Sequence, residues 1–399
     1  MNTTQDYWSQ LSASMLDKTI GGEYQLIEVL GNGAFGCLFL GQAQSDNNYV
    51  AVKVLTKSGL DHEQLKLQQL EIDIQSALNH PYLLRLHRVI QDHQYIFMVM
   101  ELCDQGDLFD YVIRDQQDSD FRDESLVKKA FLQILEGVEY MHSQNIYHRD
   151  IKLENILLKY DDNDVEFVCK VADFGLATRE RYSLEYGCGS STYLAPEHFD
   201  DDFPLDGGEL MPYDAAASDC WSLGILLLAF LFGRNPWEEA SVSDPSFAEF
   251  KRDPSMLRQL FPELSSSCFA FIKSALTTDP TQRPSVSELK KLFLATPALY
   301  AAAEEEQEEQ DTFNLKNPVD IPQLVKPVDD RSNRDSAFFS ASLGMGSMSW
   351  SDMVEEDERY EKDHHNHSST SSSEPASPHH EEYDDTMFVH NQEKESWWL

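Results

Sequence analysis

Two stretches decide the fold: residues 147–155 read YHRDIKLEN, and residues 173–175 read DFG. The first brings a carboxylate (Asp150), a cation (Lys152) and an amide (Asn155) into one short loop, and the second adds another carboxylate. A base, a phosphate-neutralising lysine and two oxygen ligands for magnesium are what phosphoryl transfer from a nucleotide requires. Either stretch alone could be chance, but together, in this order and at this distance, they predict phosphoryl-transfer chemistry.

The composition restricts the partners of the chain. Its 399 residues are 41% hydrophobic, which is enough for a large core, and 31 Lys and Arg against 70 Asp and Glu give a net charge of −39. An acidic surface repels nucleic acid and anionic membranes and favours basic protein partners. Solubility is the other explanation, and it accounts for most of the surface. We predict no direct nucleic-acid contact, no membrane association and basic protein partners.

The cysteines and the first residues bear on the cellular compartment. The six cysteines form no CxxC pair and no cluster with histidine at metal-binding spacing, which is typical of reduced intracellular thiols. Residues 1–10 lack the basic and apolar segments of a secretory signal. The longest apolar run, residues 223–232, is shorter than the ~20 residues of a membrane span and predicts a buried helix. We expect a cytoplasmic or nuclear protein.

Hydrophobic periodicity divides the chain into parts. Residues 1–23 are polar, and we predict a flexible N-terminal arm. Strand-like runs with one helix (residues 61–78) occupy residues 24–102, and helical periodicity dominates residues 107–294. The predicted fold is α+β and bilobal, with a small β-rich lobe that carries one key helix and a larger α-helical lobe. Residues 300–399 are acidic and rich in serine, which predicts a disordered tail.

The tail contains two aromatic patches, residues 338–350 and 396–399 (SWWL). They are either docking motifs or incidental aromatics in a linker, with equal weight. Ser377-Pro378 and the serine cluster before it are either modification sites or part of an inert linker.

A glycine-rich segment, residues 31–36 (GNGAFG), lies between two strand-like runs. The dinucleotide-binding version of this pattern opens a helix, whereas a strand follows here. We predict a hairpin that closes over nucleotide phosphates, because glycine lets the backbone approach them without a side chain. An ordinary glycine-rich hairpin is the alternative. The candidate nucleotide-binding residues of the hairpin are Gly31, Asn32, Gly33, Ala34, Phe35 and Gly36.

Lys53 lies in the apolar strand VAVKVL, where an unpaired charge is costly. We predict that it holds the α- and β-phosphates of a nucleotide and that a carboxylate on the following helix orients it. Glu71 is the preferred partner because of its distance from the end of that helix, and Glu63 and Asp73 are rivals. A surface ion pair is the ordinary alternative.

Residues 98–103 (MVMELC) form an apolar strand that runs into a glycine-containing connector between the lobes. The end of such a strand can offer backbone carbonyl and N–H groups to an adenine ring, here from Glu101 and Cys103. Met100 is expected at the back of this pocket as a bulky, pliable gate.

Four polar residues are predicted to carry the chemistry. Asp150 orients the substrate hydroxyl and finally accepts its proton. Lys152 neutralises the transferred phosphoryl group. Asn155 and Asp173 are hard oxygen ligands for Mg²⁺, which the nucleotide phosphates share.

The order GNGAFG, VAVK, Glu71, HRDIKLEN, DFG, APE, SDCWSLG and DPTQRP resembles the eukaryotic protein kinase family over residues 24–294. The residues GSSTY before APE resemble its serine/threonine branch, and the chain is most similar to the fungal kinases that restrain meiosis and respond to nutrients. The resemblance implies dependence on ATP and Mg²⁺, a monomeric catalytic domain, and protein substrates with Ser or Thr acceptors. Further residues that it places at the nucleotide are Leu38, Ala51, Asp107 and Leu157.

The resemblance also implies contacts that brace the larger lobe. Glu197 and Arg283 are expected to form a buried ion pair, and Asp219 is expected to hold the backbone of the His148-Arg149 turn. Breaking one partner of such a pair costs roughly 3–5 kcal/mol.

Two positions that depart from the family pattern lie outside the activation segment. Leu153 follows the catalytic lysine where a proline is usual, and this change alters no chemistry. Gln75 stands where the family pattern has an apolar residue that packs against His148 and Phe174 in the active state. Because Gln75 is polar, we predict weaker packing of these three side chains, which hold the active conformation.

The third departure lies in the activation segment, between DFG and APE. Tyr186 occupies the position that often carries an activating phosphothreonine, and Glu185 precedes it. We hypothesise that Glu185 partly replaces the phosphate that Arg149 would bind, or that no phosphate is needed. Ser183 is the alternative phosphorylation site.

Substrate positioning is implied for three residues. Ser190 takes the place of the hydroxyl that contacts both the catalytic base and the catalytic lysine. Asp107 and Glu154 match acidic positions that select arginine before the acceptor, while Ala229 replaces a further acid of some related kinases. We therefore predict a preference for arginine three residues upstream and little demand two residues upstream. The alternative, with equal weight, is that Asp107 contacts only the ribose of the nucleotide and selects no arginine.

A pseudokinase scaffold that binds partners through its acidic tail is the alternative function. The presence of Lys53, Glu71, Asp150, Asn155 and Asp173 weighs against it, because scaffolds typically lose at least one of them.

Overall fold

The structure is a computed structural model of the 399-residue chain. It describes residues 4–33, 36–115, 122–160, 167–199, 205–206 and 209–303. All of these residues belong to one compact unit. The predictions for Ala34, Phe35 and the tail beyond residue 303 fall outside the described residues.

The helices and strands of the described residues follow the predicted order. The helices are α1 (Thr4–Met15), α2 (His62–Ala77), α3 (Leu108–Asp115), α4 (Glu124–Ser143), α5 (Ala215–Phe232), α6 (Pro245–Arg252), α7 (Leu257–Leu260), α8 (Ser266–Ala275) and α9 (Val286–Leu294). The strands are β1 (Thr19–Ile20), β2 (Tyr24–Gly33), β3 (Gly36–Ala43), β4 (Tyr49–Thr56), β5 (Leu86–Gln91), β6 (Tyr95–Glu101), β7 (Ile156–Tyr160), β8 (Phe167–Val171), β9 (Tyr182–Ser183), β10 (Leu205–Asp206), β11 (Glu209–Leu210) and β12 (Tyr213–Asp214).

A six-stranded antiparallel sheet, in the order β1-β2-β3-β4-β6-β5, forms most of the smaller lobe. Successive side chains of a strand point to opposite faces of the sheet. On β4, Ala51 therefore packs in the core shared with the larger lobe, whereas Val52 packs in a separate cluster under α1. Lys53 lies on the same face as Ala51 and stands opposite Met98 in the register. The alternation thus directs Lys53 towards the cleft between the lobes.

The prediction of a flexible arm over residues 1–23 is wrong for its central part. Residues 4–15 form α1, which packs on the outer face of the sheet through Trp8 and Met15, both at least 96% buried. Phe39 and Val99 are among the sheet residues that it covers. Trp8, Leu11 and Met15 recur at helical spacing, but the polar residues between them concealed this short apolar face. The apolar outer face of the sheet provides the packing that stabilises α1.

A capping box fixes the start of α2, the helix predicted for residues 61–78. The Asp61 carboxylate accepts from the N–H of Gln64 (2.8 Å), and the Gln64 side chain accepts from the N–H of Asp61 (3.0 Å). Ile72, Ile74 and Gln75 are the buried residues of α2. Glu71, beside them, faces the cleft next to β4.

The helix α5 is the centre of the larger lobe. It includes the apolar run 223–232, and the prediction of a buried helix there is confirmed because these residues pack into the core. By length and composition α5 is the one described helix that could cross a membrane, but 89% of it is buried inside the protein, as in the core helix of a globular lobe. Asp214 caps its start and Gly233, at φ +64°, ends it.

The loop of residues 147–155 connects α4 to β7. The hairpin of β7 and β8 pairs Ile156 with Val171, and β8 packs against α4. An isolated bridge between Asp107 and Leu157 ties the start of α3 to β7. These contacts set residues 147–155 at the top of the larger lobe, facing the sheet.

Candidate active site

One buried carboxylate anchors the main chain of the loop 147–155. Asp219 accepts hydrogen bonds from the N–H groups of His148 and Arg149, each at 2.8 Å, and His142 Nε2 lies 2.9 Å from its Oδ2. Burial favours a higher pKa of Asp219, but His142 and the main-chain donors outweigh burial and lower the pKa. Arg149 has φ +67°, a strained value for a residue with a side chain. The contact predicted for Asp219 is present, and it holds this strained turn.

The carboxylate of Asp150 is held on several sides. Its Oδ1 accepts from the N–H and from the hydroxyl of Ser190, both at 3.0 Å. Lys152 Nζ donates to the same hydroxyl at 2.8 Å and lies 3.4 Å from Asp150 Oδ2. Asn155 Nδ2 donates to Asp150 Oδ2 at 3.0 Å and to its carbonyl oxygen at 2.8 Å. A serine hydroxyl therefore sits between the predicted base and the predicted catalytic cation.

Lys53 and Glu71 form the ion pair predicted from the sequence, with Nζ and Oε1 2.7 Å apart and both side chains almost fully buried. Burial alone favours a lower pKa of Lys53, but the negative charges of Glu71 and Asp173 outweigh it and raise the pKa. Lys53 therefore stays charged in the cleft. The rival carboxylates, Glu63 and Asp73, form contacts along their own helix.

Asn155 and Asp173 fit the predicted role of metal ligands. Asn155 Oδ1 is buried and has no hydrogen-bond partner among the described residues, a state that costs roughly 1–3 kcal/mol unless another group satisfies it. The N–H of Ala172 donates to the Asn155 carbonyl oxygen (2.8 Å), which joins the segments that carry both ligands. The part of the chain that is described contains no group of three or more His, Cys, Asp or Glu side chains that could hold a metal ion. Two protein oxygens with the remaining positions left to phosphate and water suit Mg²⁺.

The glycine-rich segment forms the predicted hairpin, not the start of a helix. β2 ends at Gly33 and β3 begins at Gly36, and these two residues pair in the register. Gly31 pairs with Leu38 and Asn32 with Cys37, so the predicted nucleotide-binding residues lie at the hairpin end.

The predicted walls of the nucleotide pocket lie in one core cluster. Leu38 on β3, Ala51 on β4 and Leu157 on β7 are all buried in the cluster that also contains Met100. Because these strands come from both lobes, the cluster forms an apolar wall across the cleft.

The connector residues Glu101 and Cys103 are placed for backbone contacts. The N–H of Glu101 donates to the carbonyl oxygen of Arg85 (3.0 Å), so a backbone contact from Glu101 to a nucleotide must come from its own carbonyl oxygen. The Glu101 carboxylate points elsewhere and lies 2.9 Å from Lys170 Nζ. Burial raises the pKa of the Cys103 thiol to about 12, so the side chain stays neutral.

Asp107 and Glu154, the predicted arginine-binding acids, lie close enough to repel each other. Asp107 is 2% exposed and accepts from the N–H of Asp110 (2.8 Å) at the start of α3. Burial, together with the charges of Asp110 and Glu154, raises its pKa to about 7 although main-chain donors oppose the shift. Burial also raises the pKa of Glu154, and Glu154 Oε2 is buried with no hydrogen-bond partner in the described structure. A cation between the two carboxylates would relieve both costs.

Arg149 and Glu185 form the pair on which the activation hypothesis depends. Arg149 Nη1 lies 2.6 Å from Glu185 Oε2, and Arg149 Nε donates to the carbonyl oxygen of Leu176 at 2.6 Å. The Ser183 hydroxyl lies 3.4 Å from Nη1. Burial favours a lower pKa of Arg149, but the hydrogen bond with Glu185 and its charge help to raise the pKa above its ordinary value.

Tyr186, at the usual phosphothreonine position, anchors the activation segment to the larger lobe. Its hydroxyl donates to the carbonyl oxygen of Met211. Its ring packs 5.2 Å from the ring of Tyr213 and 6.0 Å from that of His198. The side chain at this position therefore packs against the larger lobe.

The brace predicted between Glu197 and Arg283 is present as a bidentate ion pair. The two guanidinium nitrogens lie 2.9 and 3.0 Å from the two carboxylate oxygens. Arg283 also donates to the carbonyl oxygens of Ala217 (2.7 Å) and Thr277 (2.9 Å), and it stacks over Trp221. One side chain thus joins the end of the activation segment to α5.

Gln75 is buried behind the cleft and forms specific contacts. Its Nε2 donates to the carbonyl oxygen of Leu84 (3.3 Å) and lies 3.5 Å from the sulfur of Met100. The rings of His148 and Phe174 are 5.7 Å apart, and both are buried. The amide therefore ties α2 to the strands behind the pocket. The predicted weakness of the stack stays a prediction.

Three residues of the site have no counterpart in the sequence predictions. His142 supports Asp219 from the last turn of α4, and His198 lies under the activation segment with its Nε2 3.0 Å from the Ser218 hydroxyl. A side chain on Gly189 would lie 2.5 Å from a backbone oxygen, so Gly189 lets the next residue reach Asp150. A glycine before that serine was a usable signal, whereas the histidines gave none because their partners are far along the chain.

Comparison with known proteins agrees with this geometry. Residues 24–293 match the family model described as "Protein kinase domain". The chain is 34% identical over 294 residues to the "Negative regulator of sexual conjugation and meiosis" of Schizosaccharomyces pombe, covering 70% of this chain and 61% of that protein. It is 33% identical over 279 residues to the "Serine/threonine-protein kinase ksp1" of the same yeast, covering 68% and 56%. It is 31% identical over 300 residues to the "Serine/threonine-protein kinase SIK2" of Gallus gallus, covering 74% and 34%.

A paired lysine, a fixed carboxylate and two oxygen ligands in a cleft between a β-rich and a helical lobe define a class of phosphotransferases. The chain belongs to the protein kinase family. The predicted family and the likeness to fungal serine/threonine kinases are confirmed. The chain spans about three-fifths of the length of the two yeast relatives.

Proposed function

We propose that the protein is a serine/threonine protein kinase that transfers the γ-phosphate of ATP to Ser or Thr of protein substrates. The observation that supports it most directly is the Ser190 hydroxyl, which lies 3.0 Å from Asp150 Oδ1 and 2.8 Å from Lys152 Nζ. A site that already holds a hydroxyl between a carboxylate and a cation can hold a substrate hydroxyl beside it.

The proposed mechanism assigns one task to each residue of the chain. Asp150 orients the substrate hydroxyl and accepts its proton as the P–O bond to the acceptor forms and the bond from the γ-phosphorus to the bridging oxygen of the leaving ADP breaks. Lys152 offsets negative charge on the transferred group. Lys53, held by Glu71, binds the nucleotide phosphates. Asn155 and Asp173 supply the oxygen ligands, and the Mg²⁺ they would hold neutralises charge on the phosphates when bound.

The substrate preference is proposed from the two carboxylates Asp107 and Glu154. Each is desolvated, and Glu154 Oε2 has no hydrogen-bond partner in the described structure, although the charge of Lys152 partly offsets the burial of Glu154. An arginine three residues before the acceptor would supply a further cation. Ala229, buried in α5, offers no charge for a second arginine two residues before it.

The cellular role is proposed from the relatives. The name of one yeast relative refers to restraint of conjugation and meiosis. We assign the protein to signalling of nutrient state or of entry into the cell cycle or meiosis, in the cytoplasm or the nucleus. The acidic overall charge favours basic protein substrates.

The central test is transfer of labelled phosphate from ATP with Mg²⁺ to a peptide that contains Arg-x-x-Ser. The wild type is expected to label it, and Asp150→Ala is expected to lose at least about a hundredfold in rate. A matched peptide with Ala in place of Arg separates substrate choice from chemistry, because only the proposed preference predicts weaker labelling of it. Absence of labelling of any Ser or Thr peptide by the wild type would contradict the proposal and favour a scaffold.

A further inference from the structure

A second concave surface lies on the connector between the lobes. This groove of about 830 Å³ is formed by the turn between β3 and β4, the loop of residues 79–81, the strand β5, the connector and the hairpin of β7 and β8. We call it the connector groove and define its charged part by Arg85, His87, Glu101, Lys159 and Lys170. The catalytic residues Asp150, Lys152, Asn155 and Asp173 do not line it.

The two lysines of the connector groove share one carboxylate. Glu101 accepts from Lys170 Nζ (2.9 Å) and from the backbone N–H of Arg85 (2.7 Å), and Lys159 Nζ lies 3.6 Å away. The exposed Arg85 guanidinium has no hydrogen bond or ion pair with any described residue. Asp46 is the second acidic residue of the lining, and its carboxylate accepts a hydrogen bond from the N–H of Asn48.

The charge balance of the groove is opposite to that of the chain. Its lining has three Lys or Arg side chains against two Asp or Glu side chains, whereas the whole chain has 31 against 70. Burial lowers the pKa of His87, and the positive charges of Arg85, Lys159 and Lys170 add to this effect against the attraction of Glu101. The charged side chains of the lining therefore sum to +1, a local excess of positive charge that favours an anion.

A carboxylate-rich segment begins directly after the last described residue. Residues 304–311 read EEEQEEQD and contain six acidic side chains. The chain approaches this segment beside the start of α4, where the N–H of Tyr300 donates to Glu124 (3.4 Å). Near the other end of α4, Tyr140 stacks on His80 of the groove lining with ring centroids 4.9 Å apart.

The length of the segment matches that separation. From Glu124 to Tyr140, α4 rises by about 24 Å at ~1.5 Å per residue. An extended chain covers about 24 Å with roughly seven residues. Because residues 301–303 are helical, the extended chain is counted from Ala303, and the last acids of the segment, Glu309 and Asp311, come within reach of the groove while the first glutamates bridge the distance.

We propose that the connector groove binds a carboxylate-rich segment and that its occupant is residues 304–311 of the same chain. The carboxylates pair with the Arg85 guanidinium and with Lys159, whose contact with Glu101 (3.6 Å) is longer than that of Lys170 (2.9 Å). The binding does not depend on the proposed enzyme activity.

Zero-length carbodiimide cross-linking of the full chain, read by mass spectrometry, tests the occupant. The reagent joins a lysine to a carboxylate only where the two are in contact. We expect a link within one chain from Lys159 to Glu309 or Asp311. The link from Lys170 to Glu101 shows that the reagent enters the groove. Links of the acidic segment only to lysines elsewhere, or only between two chains, would overturn the proposal.

A binding experiment tests the groove without relying on the reagent. A fluorescent peptide of residues 302–313 is titrated into the full chain in which the five glutamates of residues 304–309 are glutamine, so that the site is free. Adding Arg85→Glu and Lys159→Glu is expected to weaken binding at least about tenfold, with unchanged thermal unfolding. The matched control adds Lys251→Glu and Arg252→Glu, which change the charge equally on the exposed face of α6. Equal loss in both variants, or no binding to the parent protein, would contradict the proposal.

Discussion

The catalytic loop (residues 147–155) and the activation segment (residues 173–197) lie against each other but are held in different ways. His148 and Ile151 in the loop are 0% exposed, whereas Tyr182 and Leu184 in the segment are 60% and 57% exposed. The loop is built into the core of the larger lobe. The middle of the segment lies on the surface, whereas Phe174 and Tyr193 near its two ends are buried.

The contacts that hold the two regions explain this difference. The loop is anchored by buried main-chain donors to Asp219, which water cannot replace. The segment reaches the loop near its start through the backbone of Leu176 and Thr178, and near its end through Ser190. In its middle it reaches the loop through Glu185, whose side chain is 60% exposed. We infer that the catalytic loop is a fixed part of the fold and that the middle of the activation segment is the adjustable part.

Removal of the loop anchor has the largest expected effect. Asp219→Ala leaves the N–H groups of His148 and Arg149 buried without an acceptor, and we expect a loss of about 5 kcal/mol in the free energy of unfolding. Urea unfolding measures it, and kcat should fall as the loop loses its geometry. Asp123→Ala, which removes the cap of α4, should cost about 1 kcal/mol. Equal losses would show that the loop does not depend on Asp219.

Breaking the ion pair between Arg283 and Glu197 has the second largest expected effect. Arg283→Ala leaves Glu197 charged and without its partner, and we expect a loss of roughly 3–5 kcal/mol in the free energy of unfolding. Arg283→Lys should recover only part of this, because lysine cannot form the bidentate contact. Full recovery by lysine would mean that charge alone, and not the geometry of the guanidinium, stabilises the pair.

The burial of His198 under the activation segment predicts that the free energy of unfolding depends on pH. Burial lowers its pKa to about 4, below the ordinary value of 6.5, although Glu197 opposes the shift. The folded state therefore favours the neutral ring, so stability is complete above pH 6.5 and falls as the pH drops towards 4. Between pH 7.5 and 5 the wild type should lose roughly 2 kcal/mol more than His198→Gln. Identical pH profiles of the two proteins in urea unfolding would refute this.

The smallest effect is expected from the exposed link between the two regions. In enzyme that carries no phosphate, Glu185→Ala should reduce kcat/KM roughly fivefold, corresponding to about 1 kcal/mol for a partly exposed pair. The fold should be unaffected. Glu180→Ala, which removes an exposed carboxylate of the same segment, is the matched control. Activity unchanged in Glu185→Ala would show that this glutamate does not replace a phosphate.

Much of the site could be predicted because its chemistry is carried by short local patterns. The order of Asp150, Lys152 and Asn155 along one loop predicted their neighbourhood, and the apolar strand around Lys53 predicted a buried partner. Glu71 could be chosen over its rivals because of its distance from the end of the helix that carries it. The contacts of these residues in the structure agree with those expectations.

Other features could not be predicted because they depend on distant parts of the chain. The residues of α1 are mostly polar, and only the exposed apolar face of the sheet makes a helix favourable there. The packing of Gln75 against Leu84 and Met100 depends on strands that follow it in the chain. From the sequence, the amide of Gln75 at a usually apolar position predicted weaker packing. The structure shows that this amide contacts Leu84 and Met100.

The sequence by itself determined the family, the lobes and the catalytic residues, because these follow from residue types at short spacings. Tertiary structure alone decided which of them are held rigidly. Asp219 meets His148 across 71 residues and Arg283 meets Glu197 across 86, and local spacing carries no information on such distances. It also decided where charge accumulates, since Glu101, Lys159 and Lys170 come from different strands. The physical reason is that burial and electrostatic potential depend on all neighbours in space, whereas a motif records only neighbours in the chain.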